Sequence, residues 1–156
     1  SEMCIRDRFD AAGKYFKKLM KNRPERIELE IESMEAKVIG DVNQLRFLLE
    51  NLIDEALTVR EDGVIRLQAR KDNEYIRFLF TDTRREKSVE ELNQLFYPNL
   101  ARMTSGEKGE LRGTEYLVCK QIIRDHDEFA GRRGCRINAE PAEGGGFTVY
   151  FTIPRR

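Results

Sequence analysis

A chain of 156 residues, 40% of them hydrophobic, is long enough for one domain with a core of its own. Its 28 lysines and arginines balance 28 aspartates and glutamates, so no net field draws it to nucleic acid or to an anionic membrane surface. Three cysteines (Cys4, Cys119, Cys135) without a CxxC pair, a single histidine, and no apolar run of membrane-spanning length argue against a disulfide framework, a zinc site and a transmembrane segment. A reducing compartment is the expectation. The opening SEMCIRDRFD is charged, has no signal-peptide core and lacks an initiator methionine, which fits a piece of a longer polypeptide.

The first element is a helix over residues 8–22, where Phe9, Ala12, Phe16, Leu19 and Met20 share one face; Pro24 stops it. It is read as continuing an upstream linker over residues 1–23. RIELEIESM then alternates Ile27, Leu29 and Ile31 against charges, a half-buried strand, and a short strand at 37–39 follows. Asp41 is a credible N-cap for a long helix reaching about residue 59. Its apolar stripe is Leu45, Leu48, Leu49, Leu52, Ile53 and Ala56, with Asn51 and Glu55 stacked one turn apart on the shoulder. Asp62 and Gly63 make a turn, and strands at 64–70 and 75–80 read as a hairpin around KDNE. Ser88 and Glu91 form a capping box for a short helix over 89–96.

Residues 97–113 (YPNLARMTSGEKGELRG) lose periodicity and gain glycine and charge, the composition of a loop that is functional or disordered. A helix over 114–125 restores the pattern. Within it Cys119 reads as a small buried apolar residue, and His126 is expected to cap or solvate the end. Strands at 135–140 and 147–153 enclose the turn AEGGG. Strands and helices in this order predict one α+β domain over 1–156. It would be a two-layer sandwich of a mixed, mostly antiparallel sheet with helices on one face.

Element order and several strings resemble the ATP-binding domain of bacterial sensor histidine kinases, in the superfamily that also holds DNA gyrase and MutL. GDVNQLRFLLENLIDEAL resembles the N-box helix, IRFLFTD the strand into the DxGxG box, and ELNQLFYPN the Ile-Phe-x-Pro-Phe box. YLVCKQII resembles the helix after the last glycine box, and GCRINAEPAEGGGFTVYFTIP the closing hairpin. The resemblance implies a nucleotide cleft lined by Asn51, Glu55, Asp82 and Gly113. In it Asn51 and Glu55 would face Mg²⁺, and Asp82 would bind the adenine amino group. It also implies a cytoplasmic setting, as part of a larger sensor, with other sensor domains or a response-regulator-like protein as partners.

Departures cluster where the chemistry belongs. Glu55 stands at the second N-box asparagine; Arg84 and Glu86 replace the glycines of the DxGxG box; Leu111 and Glu115 replace two of three in the GxGxGL box, leaving Gly113. Glycine serves such loops by accepting positive φ and close backbone approach. Glu55 and Glu115 set carboxylates where phosphates would lie. The only histidine is His126, so no phosphoacceptor precedes residue 22. Two readings stand. The favoured one is a degenerate domain serving as a signalling or interaction module, with no cofactor expected; the alternative is a working Mg-ATP-binding catalytic domain with variant boxes.

Overall fold

The computed structural model describes residues 2–98, 104–105, 111–112, 114–130 and 134–156. Chain order begins with strand β1 (Glu2–Cys4), helix α1 (Ile5–Met20), β2 (Ile27–Glu32), β3 (Lys37–Ile39) and α2 (Val42–Ala56). It continues with β4 (Gly63–Asp72), β5 (Tyr75–Asp82), α3 (Val89–Gln94), β6 (Thr104–Ser105), β7 (Leu111–Arg112), α4 (Glu115–Ala130), β8 (Ile137–Pro141) and β9 (Phe147–Pro154). The main sheet runs β2-β4-β5-β9-β8; β2 lies parallel to β4 and every other neighbour is antiparallel. The expected mixed sheet with helices on one face is the fold observed.

Alternation makes the layers. Ile65 and Leu67 of β4, Ile76, Phe78 and Phe80 of β5, and Val149, Phe151 and Ile153 of β9 all point into the core. Phe78 stacks on Phe151 at 4.8 Å between centroids and meets Phe9 of α1 edge-on at 5.8 Å, so sheet and helix layers share one aromatic cluster. The opposite face is polar. There the hydroxyls of Thr81 and Thr148 pair at 2.8 Å, Arg77 lies over the Tyr150 ring, and Arg66 bridges to Glu30.

The long helix forms as its pattern requires. Asp41 accepts the Gln44 N–H at 3.0 Å, and Leu45, Leu48, Leu49, Leu52 and Ile53 are at most 2% exposed. The capping box at Ser88 and Glu91 is present.

Three features depart from expectation. First, α4 extends to Ala130, so His126 lies within the helix and is buried; it neither caps nor solvates an end. The polar letters around it are the helix's outer face, and Asp127 draws the returning chain in by accepting the N–H groups of Gly134 and Cys135. Second, β1 pairs with β3, a contact three residues are too few to announce. Third, the aperiodic segment contains an antiparallel pair, β6 with β7. Residues 99–103 and 106–110, which make up most of the loop read as functional or disordered, lie outside the described residues.

Candidate functional site

Asp82 ends β5 on the helix-facing side, in step with Phe78 and Phe80, and only 4% of it is exposed. Its backbone is pinned from both sides, paired with Ile65 of β4 and Phe147 of β9. The closing hairpin comes so near that a Cβ on Gly146, at φ +84°, would stand 2.1 Å from the Asp82 carbonyl oxygen. Only glycine permits that approach.

Two residues on, Arg84 turns back over this carboxylate. Its Nε–H donates to Asp82 Oδ1 at 2.9 Å and one Nη2–H donates to Oδ2 at 2.9 Å. The other Nη2–H reaches the carbonyl of Ala56 at 2.6 Å, and Nη1 donates to the carbonyls of Val59 and Glu61 at 3.0 and 2.9 Å. These contacts use all five N–H groups of a guanidinium. The Arg84 backbone N–H adds a bond to Asp82 Oδ1 at 3.0 Å. Side-chain exposure is 1% for Arg84 and 5% for Asp82, so the ion pair is withdrawn from water with its hydrogen bonds complete. The carbonyl acceptors belong to the last residue of α2 and the turn just beyond it, where the helix dipole favours a cation; α2 has no basic residue in its own last turn.

The arginine stem has its own requirement. Gly63, at φ +141°, faces it so closely that a Cβ there would meet Arg84 Cγ at 2.5 Å. Among described non-glycine residues only Asn73 has positive φ, so Arg84 and Glu86 follow a backbone route that side chains accept. Composition could have announced this cation: an arginine beside an aspartate, where the resemblance calls for glycine.

Asn51 sits further up α2, and its Nδ2 donates to the Phe47 carbonyl of its own helix at 2.6 Å. Glu55 and Glu115, from α2 and α4, both act on Cys119, which packs between those helices with its thiol 3.7 Å from the Leu48 carbonyl. Burial first, then the Glu115 and Glu55 charges, push that thiol far above its ordinary range, so it stays protonated. Asp54, adjoining Glu55, is also raised, by burial and by Glu115, against a lowering bond from the Tyr15 hydroxyl at 2.5 Å. Three carboxylates thus crowd this end of the helical layer. Gly113 lies outside the described residues.

His126 bridges the other end of α2: its Nε2 accepts the Asp41 N–H at 3.1 Å and its Nδ1 bonds the Ile122 carbonyl at 2.9 Å. An amide can only donate, so Nε2 is the acceptor of this pair and Nδ1–H the donor to the carbonyl. A hollow of about 450 Å³ opens beside it, lined by Gly40, Asp41, Asn43 and Asp125. It lies at the opposite end of α2 from Asp82.

The resemblance implies Mg-ATP, with its adenine against Asp82. Both Asp82 oxygens are bonded to Arg84, and the surrounding groups are acceptors that would face the acceptor nitrogens of a base. Among the described residues no three or more His, Cys, Asp or Glu side chains converge to hold a metal.

A layer of helices on one face of a mixed five-stranded sheet is the ATPase fold of the histidine kinases. The chain belongs to the family described as histidine kinase-, DNA gyrase B-, and HSP90-like ATPase, whose model matches residues 40–156. No curated protein sequence matches it significantly. Among solved structures it is similar to the catalytic domain of histidine kinase ThkA, with a TM-score of 0.75, 20% identity, and coverage of 99% of this chain and 95% of that one. The mycobacterial sensor histidine kinase MprB gives a TM-score of 0.74 at 18% identity, covering 100% and 97% of the two chains. ThkA in complex with the response regulator protein TrrA matches at a TM-score of 0.72 and 17% identity, covering 100% of this chain and 42% of that one. Among the described residues no helix is long and apolar enough to cross a membrane.

Proposed function

We propose that this domain is a degenerate histidine-kinase-type ATP-binding domain, used as a signalling or interaction module within a larger cytoplasmic sensor, with weak or no nucleotide binding. One observation carries the reading: the Asp82 carboxylate, which the resemblance puts against the adenine, is held on both oxygens by the chain's own buried Arg84. A base would have to displace a cation that already has five hydrogen bonds, and breaking such a pair costs about 3 to 5 kcal/mol. Every 1.4 kcal/mol is tenfold in affinity, so displacement alone removes about two to four orders of magnitude. Glu55 and Glu115, which the resemblance puts toward the phosphates, add negative charge there. Its partners are then other domains of the sensor or a response-regulator-like protein.

Calorimetric titration of the domain with Mg-ATP tests the reading. The expected result is no measurable heat of binding at millimolar nucleotide. A micromolar Kd abolished by Asp82→Asn would establish a working Mg-ATP-binding catalytic domain instead.

A further inference from the structure

The groups around Arg84 form a receptor in their own right. One carboxylate and three backbone carbonyls, belonging to Asp82, Ala56, Val59 and Glu61, lie 2.6 to 3.0 Å from the five N–H groups of a planar cation. Every contact is an acceptor and the set carries one negative charge. That pattern selects a delocalised nitrogen cation. A purine edge, which offers ring nitrogens as acceptors beside its amino group, leaves several of these carbonyls unmatched. An ammonium supplies the charge but not the fork, and a urea the fork but not the charge.

We infer that the hollow between the end of β5 and the end of α2 is a guanidinium-binding site, which this chain fills in cis with Arg84. Removal of that side chain opens it to free guanidinium or amidinium cations rather than to nucleotide. Two further observations support a built site. The Arg84 stem runs against a glycine, Gly63, whose Cβ would collide with it at 2.5 Å. The pair is also almost wholly buried, at 1% and 5% side-chain exposure, so the acceptors are held in place without water. The consequence is that the end of β5 is clamped to the end of α2 permanently, by a ligand that cannot dissociate.

Chemical rescue tests this. Arg84→Ala leaves Asp82 as a buried unpaired carboxylate and is expected to lower Tm by roughly 6 to 20 °C. Ethylguanidinium, which is the severed part of the side chain, should restore several degrees saturably at about 10 mM, in line with ligand linkage. Ethylammonium, ethylurea and sodium chloride at the same concentration should not, and the unsubstituted chain should not respond. If Arg84→Ala does not fold by itself, the yield of refolding by dilution, with ethylguanidinium against ethylammonium, reads the same site. No response to ethylguanidinium, an equal response to ethylammonium, or a larger one to Mg-ATP overturns the inference. It rests on the reading of Asp82 as an occupied base position, yet the two fail separately. Mg-ATP binding to the unsubstituted chain sinks that reading, whereas an unresponsive Arg84→Ala sinks only this one.

Discussion

Asp54 shows how a single carboxylate reports on its surroundings. Burial raises its pKa first, the Tyr15 hydroxyl opposes that, and the Glu115 charge adds to it. A raised native pKa means that the folded state binds more protons than the unfolded one in the window just above the ordinary aspartate value near 4. Stability attached to this group is therefore present at low pH and declines as pH rises through the native pKa, opposite to the usual salt-bridged aspartate. Asp54→Asn keeps an oxygen for the Tyr15 hydroxyl and removes the charge. Its Tm relative to the unsubstituted chain should increase between about pH 4 and pH 7. A constant difference across that range, measured by thermal melts, would show that Asp54 does not titrate as described. Tyr15 is raised too, by burial and then by Asp54, which holds it neutral as a donor.

At the scale of elements, α4 is joined to the start of α2 by one ring. Gly40 leaves room for it, since a Cβ there would stand 2.7 Å from His126 Nε2. The imidazole satisfies the Asp41 N–H, whose own side chain caps α2, so cap, glycine and histidine act together. His126→Ala orphans that N–H and leaves a hole in a buried position; a loss of about 2 to 4 kcal/mol is expected in urea denaturation. A loss below about 0.5 kcal/mol would mean that the bridge contributes little. The closing hairpin plays the corresponding part at the other end, where Gly146 lets β9 close on Asp82.

For the whole molecule, the clamp between β5 and α2 has a thermodynamic signature. A ligand that binds only the folded state raises stability through mass action; a Kd near 10 µM at about 5 mM nucleotide would add about 3.7 kcal/mol. On the proposed function, Tm with and without about 5 mM Mg-ATP should agree to within roughly 1 °C. A rise of several degrees would contradict the proposed function without reference to any variant. The similarity to ThkA and MprB at 20% and 18% identity shows the shared fold and leaves activity to such measurements.

Local chemistry was legible in the letters because it depends on near neighbours. The Asp41 cap, the Ser88 box and the leucine stripe of α2 each follow from spacings of three to four residues, and each was found as expected. The same letters showed that Asp82 lacked its glycines. What they did not show required distant segments to meet. The extension of α4 through DHDEF depends on His126 finding the Asp41 N–H, 85 positions away. The strand at Glu2–Cys4 exists only because Lys37–Ile39 lies beside it. Arg84 read as a misplaced side chain in a loop; tertiary packing made it a ligand, because the carbonyls of Ala56, Val59 and Glu61 converge only once α2 has docked against the end of β5. A buried cation is tolerable only when such acceptors surround it, and their arrangement is a property of the folded layers rather than of any window of sequence.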